Sequence, residues 1–74
     1  MQIRLYGTQG CHLCDEARAK LEQTRIAYTY LDIIDDDGLF ARYGMRIPVI
    51  LRTDGAELGW PFNLSELMRF LEYR

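Results

Sequence analysis

Apart from Cys11 and Cys14 this 74-residue chain has no cysteine, and its one histidine and one tryptophan are His12 and Trp60. Two cysteines cannot lace together a disulfide-rich scaffold, and two thiols with one imidazole fall short of the four ligands of a structural zinc site. His12 also adjoins Cys11 and so aims elsewhere, so no metal site is expected. No apolar run approaches the roughly 20 residues of a transmembrane helix, which argues against a membrane. Met1 leads straight into Gln2-Ile3-Arg4-Leu5-Tyr6, without the basic and apolar regions of a signal peptide, so a cytoplasmic location is the expectation. An excess of positive charge is missing too. Nine Lys and Arg against eleven Asp and Glu leave a formal charge of −2, which argues against nucleic acid as a partner. Arg42, Arg46 and Arg52 are read as solvated surface charges. With no repeat, low-complexity tract or linker, residues 1–74 are read as one domain and a monomer. A chain this short buries only about 60% of its unfolded surface, which leaves room for one sheet and a few helices, with any active site on the rim.

What the chain does have is Cys11-His12-Leu13-Cys14, after a short apolar run and before a helical pattern. A thiolate in the first turn of a helix faces unpaired backbone N–H groups and the positive end of the helix dipole, both of which favour S⁻. Cys11 is therefore the candidate nucleophile. Cys14, about one turn along the same face, is the candidate resolving thiol, placed to attack a mixed disulfide at Cys11. A permanent staple is the poorer use of this spacing, because closing so short a loop contributes only about 2 kcal/mol. Protonated, His12 would add a positive charge beside Cys11; otherwise it is a partly exposed loop side chain.

Ile3 and Leu5 alternate with Arg4 and Tyr6 as a strand, stopped by Gly7-Thr8-Gln9-Gly10. From Cys11 to about Thr24 the pattern is helical, with Leu13, Ala17 and Leu21 as its apolar stripe and Asp15 and Glu16 in the first turn. Residues 26–33 read as a second strand, parallel to the first across this helix. Asp35-Asp36-Asp37 offers caps for a short helix carrying Leu39, Phe40 and Tyr43, with Gly44 as its C′ stop. Pro48 to Leu51 and Glu57 to Trp60 form an antiparallel pair around Thr53-Asp54-Gly55. Asn63 and Glu66 make a capping-box variant ahead of Leu64, Leu67, Met68 and Leu71. The expected class is α/β, in the order β-α-β-α-β-β-α, with a four-stranded mixed sheet flanked by three helices.

This order, with a C-x-x-C opening the first helix and a proline starting the third strand, resembles the thioredoxin superfamily and its glutaredoxin branch over essentially the whole chain. Gly7-Thr8-Gln9-Gly10-Cys11-His12-Leu13-Cys14 is similar to the glutaredoxin active-site loop, and Tyr43-Gly44-Met45-Arg46-Ile47-Pro48 to the segment around the superfamily's cis-proline. The resemblance implies a cis Pro48 beside Cys11, with Ile47 offering its backbone N–H and C=O to a bound cysteine-containing chain or glutathione. It sets Thr8 and Gly10 beside the thiol as supports. It also aligns Gly59, Trp60 and Asn63 with the Gly-Gly pair and acid that recognise the γ-glutamyl end of glutathione. Thr8 stands where glutaredoxins usually have Lys or Arg, Asn63 lacks the acid's charge, and Leu5 occupies the place of the buried aspartate of thioredoxins. Trp60 is weighed as a lid over the thiol and as a core residue, with core packing ahead.

The resemblance implies a dithiol-disulfide oxidoreductase that reduces protein disulfides or glutathione mixed disulfides through Cys11 and Cys14. No tightly bound cofactor is expected, and the reductant would be glutathione or a thioredoxin-reductase-type donor. Two other readings stay open. One is an iron–sulfur or metal carrier using Cys11 of two protomers with glutathione, and the other is a redox-inactive binding module of the same fold.

Overall fold

The opening alternation forms strand β1 (Ile3–Gly7) in the computed structural model, which describes residues 2–72. Met1, Tyr73 and Arg74, which the reading of 1–74 as one domain includes, lie outside the described residues. After β1 come α1 (His12–Thr24), β2 (Thr29–Asp32), a 3₁₀ turn (Ile33–Asp35), α2 (Asp37–Tyr43), β3 (Val49–Arg52), β4 (Glu57–Gly59) and α3 (Leu64–Leu71). The strands form one sheet in the order β2-β1-β3-β4, with β1 parallel to β2 and antiparallel to β3, and β3 antiparallel to β4. This is the expected order of elements with the 3₁₀ turn added. No helix among the described residues is long and apolar enough to cross a membrane.

Strand pleating splits the apolar residues between two faces. Ile3 and Leu5 of β1 and Ile50 of β3 pack with Ala17 and Leu21 of α1, Phe62, and Leu67 and Leu71 of α3. Tyr6 and Val49 point the other way, where Ile33 and Tyr43 cover them and the Tyr6 and Tyr43 rings stack with centroids 4.7 Å apart. Each such side chain stabilises the fold by about 1.5–3 kcal/mol on burial. Two helices thus cover one face and one short helix the other.

Several boundaries differ from the sequence reading. The buried stripe of α1 is Cys14, Ala17 and Leu21, whereas Leu13 is exposed. Both stripes fit a helical repeat, and only the seat of the helix on the sheet chooses between them. β2 is shorter than residues 26–33: its register pairs Thr29 with Arg4, so residues 26 and 27 would need partners upstream of β1, and only Tyr28 would still face it, at Ile3. At its far end the Asp32 carboxylate accepts the Ile34 amide at 2.9 Å and turns the chain into the 3₁₀ segment. Asp36 alone of the acidic run caps α2, through the Leu39 amide. Gly44 keeps right-handed angles, and the chain leaves α2 with the Arg46 and Ile47 amides both on the Tyr43 carbonyl. Arg52 is mostly buried, paired with Asp54 and bonded to the Phe70 carbonyl, so it is not the solvated charge expected.

The last helix starts as its sequence predicts. Asn63 Oδ1 accepts the Glu66 amide at 2.7 Å while Glu66 Oε1 accepts the Asn63 amide at 3.0 Å. Replacing Asn63 with alanine leaves the Glu66 amide without its acceptor. The expected cost is about 1 kcal/mol, a drop in Tm of roughly 4–8 °C in a thermal melt; an unchanged Tm would show that α3 does not depend on this cap.

Candidate functional site

Both cysteines sit where β1 gives way to α1. Gly10, at φ 82°, makes the left-handed turn that brings Cys11 to the N-cap, a backbone state that side chains other than glycine rarely take. The Cys11 amide donates to the Thr8 carbonyl at 3.3 Å, and Cys11 Sγ in turn accepts the Cys14 amide at 3.2 Å. Sulfur thus takes the capping place usually held by a serine or aspartate oxygen, at the positive end of α1. Cys11 and Cys14 are joined as a disulfide, their Cα atoms 5.2 Å apart. Their environments differ: Cys11 is half-buried at the rim, whereas Cys14 is fully buried against the end of β1. Only Cys11 is placed to meet a partner first.

The loop before the cysteines is tied down from β2. Asp32 Oδ2 accepts the Gln9 amide at 3.2 Å, while Oδ1 is engaged with Ile34. Hydrogen bonds from the Ile34 amide first, then the Thr8 hydroxyl and the Gln9 amide, hold the Asp32 carboxyl below the usual range, outweighing the opposing effect of desolvation. Thr8 therefore faces an acid where glutaredoxins usually carry a cation. His12 occupies the first helical position, almost wholly exposed, with Nε2 3.2 Å from a Glu16 carboxylate oxygen. The imidazole thus has the Glu16 carboxylate as its neighbour on the open side of α1.

The other residues picked out by the resemblance meet at the same end of the sheet. Tyr6 pairs with Val49 and Val49 with Gly59, so the ends of β1, β3 and β4 lie side by side, with Pro48 just before β3 and Trp60 just after β4. The Ile47–Pro48 and Trp60–Pro61 peptide bonds are both cis, the second one unforeseen in the sequence. The Trp60 amide donates to the Pro48 carbonyl at 3.2 Å, and the Trp60 ring packs against the α1/α3 core, edge-on to Phe62 at 5.0 Å. Ile47 differs from the expectation that both its backbone groups are free. Its N–H donates to the Tyr43 carbonyl at 3.1 Å, which leaves its C=O for an incoming chain. Asn63 spends its side-chain oxygen and its backbone N–H on the capping box.

Nearby, the Tyr43 hydroxyl and the Arg46 guanidinium each approach the Glu57 carboxylate at 2.6 Å, with Arg42 at 3.9 Å. These donors hold the Glu57 carboxyl below the usual range, and burial, then the Glu57 contact, pushes the Tyr43 phenol up. Arg46 is thereby engaged within the fold, tying the segment before Pro48 to β4. Among the described residues no group of three or more His, Cys, Asp and Glu gathers as metal ligands would. The sequence reading missed Asp32, whose tether to Gln9 spans 23 positions, and Gly7, the glycine inside β1 against which Cys14 rests. A glycine within a strand, which marks a close approach, was the one available signal.

Comparison with known proteins agrees with this fold. The sequence model of the family described as Glutaredoxin-like domain matches residues 2–72. The crystal structure of a structural-genomics target protein, XcR50 from X. campestris, is 41% identical over 95% of each chain, with a TM-score of 0.89. Protein Ne2328 from Nitrosomonas europaea is 24% identical, over 93% of this chain and 88% of that one, with a TM-score of 0.77. Thioredoxin 1 from Thermosipho africanus TCF52B, 17% identical over 97% of this chain and 91% of that one, has a TM-score of 0.65. The last two likenesses establish the thioredoxin fold alone. No curated protein matches the chain.

The Asp32 tether titrates. Its carboxyl is depressed in the folded protein, so the tether is complete above the ordinary aspartate pKa of about 3.9 and is lost as pH falls through the lower folded value. NMR titration should show the Gln9 and Ile34 amide resonances moving together with a midpoint below about 3.9, and Asp32→Asn should abolish that movement. A midpoint above that value would mean that the tether does not hold the carboxylate.

Proposed function

Because the chain belongs to the Glutaredoxin-like domain family, we propose that it is a dithiol-disulfide oxidoreductase, with Cys11 as nucleophile and Cys14 as resolving thiol. The fold and the cysteine pair give it a thiol redox role. The observation that carries the finer reading is the contrast between the two sulfurs: Cys11 Sγ at the rim accepts a helix N-terminal amide, whereas Cys14 is fully buried behind it. An amide donor and the helix dipole favour a thiolate at Cys11, and burial keeps Cys14 from competing for substrate.

In the reduced protein the Cys11 thiolate attacks one sulfur of a substrate disulfide, in a protein or in a mixed disulfide with glutathione. A Cys11–substrate disulfide forms and the other substrate sulfur leaves as a thiolate that takes a proton. Cys14 then gives up its proton and attacks Cys11 Sγ, and the electron pair of the breaking bond leaves with the second substrate sulfur. The Cys11–Cys14 disulfide that remains has delivered two electrons to the substrate. A donor of glutathione or thioredoxin-reductase type returns it to the dithiol, with no tightly bound cofactor. The Ile47 carbonyl, with Pro48, Gly59 and Trp60 at the same sheet end, supports a docking place for the substrate chain. A metal carrier would need ligands from outside this chain.

Glutathione is a weak ligand in this reading. Thr8 brings no cation and Asn63 no anion, and the Oδ1 and backbone N–H of Asn63 are both used within α3. Losing one exposed ion pair of about 0.2–1 kcal/mol and one charge-assisted hydrogen bond of about 1.5–3 kcal/mol weakens binding by roughly ten- to a thousand-fold relative to a typical glutaredoxin. Turnover of a glutathionylated peptide with glutathione as sole donor tests this; a rate equal to that of a standard glutaredoxin would overturn it.

Cys14→Ser should retain the first attack and accumulate a stable mixed disulfide, visible by mass spectrometry, while Cys11→Ser loses disulfide reduction. Retained activity in Cys11→Ser would reverse the roles. The helix terminus lowers the Cys11 thiol modestly below its ordinary value of about 8.5. Iodoacetamide alkylation against pH should show a midpoint below that value, and one near pH 4 would mean that a charge other than the helix terminus dominates.

A further inference from the structure

The resolving step requires Cys14 to lose a proton while fully buried, and burial among apolar groups disfavours a thiolate. Beside its sulfur the fold closes in on Gly7. A Cβ at that position would stand 3.0 Å from Cys14 Sγ and 2.9 Å from the hydroxyl of Tyr30, so both groups pack against the glycine from the side where it lacks a side chain. Tyr30 reaches it from β2, where it pairs with Leu5 and packs against the same core as α1. Its hydroxyl makes no hydrogen bond among the described residues, although nearly every buried or half-buried tyrosine oxygen finds a partner. A disulfide sulfur is a poor acceptor, whereas a thiolate is a strong one.

We propose that Tyr30 is the positioning residue of the resolving step, its hydroxyl donating a hydrogen bond over Gly7 to the Cys14 thiolate once the disulfide is reduced. This deepens the oxidoreductase reading and rests on it. Before attack the proton leaves Cys14 for solvent, and the Tyr30 O–H, which keeps its own proton, stabilises the S⁻ left behind. As Cys14 Sγ bonds to Cys11 Sγ, the negative charge passes to the departing substrate sulfur and the tyrosine hydrogen bond is released. The surroundings suit a neutral donor. Burial first, then the charges of Asp32 on β2 and Asp15 on α1, push the Tyr30 phenol up, against the opposing pull of Arg18 on α1, whose guanidinium lies 4.6 Å from the ring centroid. Arg18 is held there by its bond to the Tyr28 hydroxyl at 3.2 Å, and that hydroxyl in turn donates to Glu22.

Tyr30→Phe removes only the oxygen and breaks no hydrogen bond of the oxidised protein, so its Tm should stay close to that of the parent. Two readouts decide the matter. In the Cys11→Ser protein, where Cys14 is the only thiol, thiolate absorbance at 240 nm against pH gives the Cys14 midpoint. Adding Tyr30→Phe should raise that midpoint by about one to two pH units, the equivalent of one charge-assisted hydrogen bond. In the protein with both cysteines, dithiodipyridine releases one thiopyridone on attack by Cys11 and a second on resolution by Cys14. Tyr30→Phe should leave the first phase unchanged and slow the second by about three- to tenfold, because the greater nucleophilicity of the more basic sulfur offsets part of the lost thiolate fraction. An unchanged Cys14 midpoint, or two phases slowed alike, overturns the proposal. If the parent protein shows no second phase, the oxidoreductase reading falls, while the midpoint measured without Cys11 still decides whether Tyr30 stabilises the Cys14 thiolate.

Discussion

The site depends on how closely the first turn of α1 settles onto the end of β1. Gly7 offers no side chain there, so Cys14 lies directly against the strand, and Ala17 and Leu21 continue the contact along the helix. Close packing fixes the axis of α1. With the axis fixed, its N-terminus stays at the end of the sheet where β3 begins and β4 ends, the end that carries Pro48 and Trp60. A bulkier strand end would lift the helix, and with it both sulfurs, from the place where an incoming chain can be aligned. In the oxidoreductase reading the displacement passes in line through three sulfurs, so their alignment matters.

Side-chain charge contributes less here than backbone. Acids surround the thiol pair: Asp15 in the first turn, Glu16 against His12, and Asp32 beneath the loop. Of the cations that could oppose them near Pro48, Arg46 is taken up by Glu57, with Arg42 beside it. What favours a negative sulfur at Cys11 is the Cys14 amide and the aligned peptides behind it, a source that solvent and salt screen less than an exposed ion pair.

Local patterns in the chain carried most of this architecture. The alternation at Ile3 to Tyr6, the C-x-x-C at a helix start and the Asn63–Glu66 box are each complete within a few residues, and each formed as read. What escaped the sequence depends on residues far apart. Leu13 and Cys14 are equally good stripe members until the sheet selects one of them. The tie from Asp32 to Gln9, and the neighbourhood of Tyr30 and Cys14, exist only once β2 lies beside β1. The amide of Ile47 is occupied because α2 ends in two bonds to one carbonyl, a detail of how the helix unwinds that composition does not encode.

A helix capped by sulfur has a cap whose strength follows the electron count. As a thiolate, Cys11 accepts the Cys14 amide with a full charge; as half of a disulfide it accepts the same amide weakly. By thermodynamic reciprocity, whatever stiffens the start of α1 must also favour the reduced pair, and whatever frays it must favour the oxidised one. The electron affinity of the two sulfurs and the rigidity of the helix are therefore one free energy seen from two sides, and a contact far along α1 can adjust the first by acting only on the second.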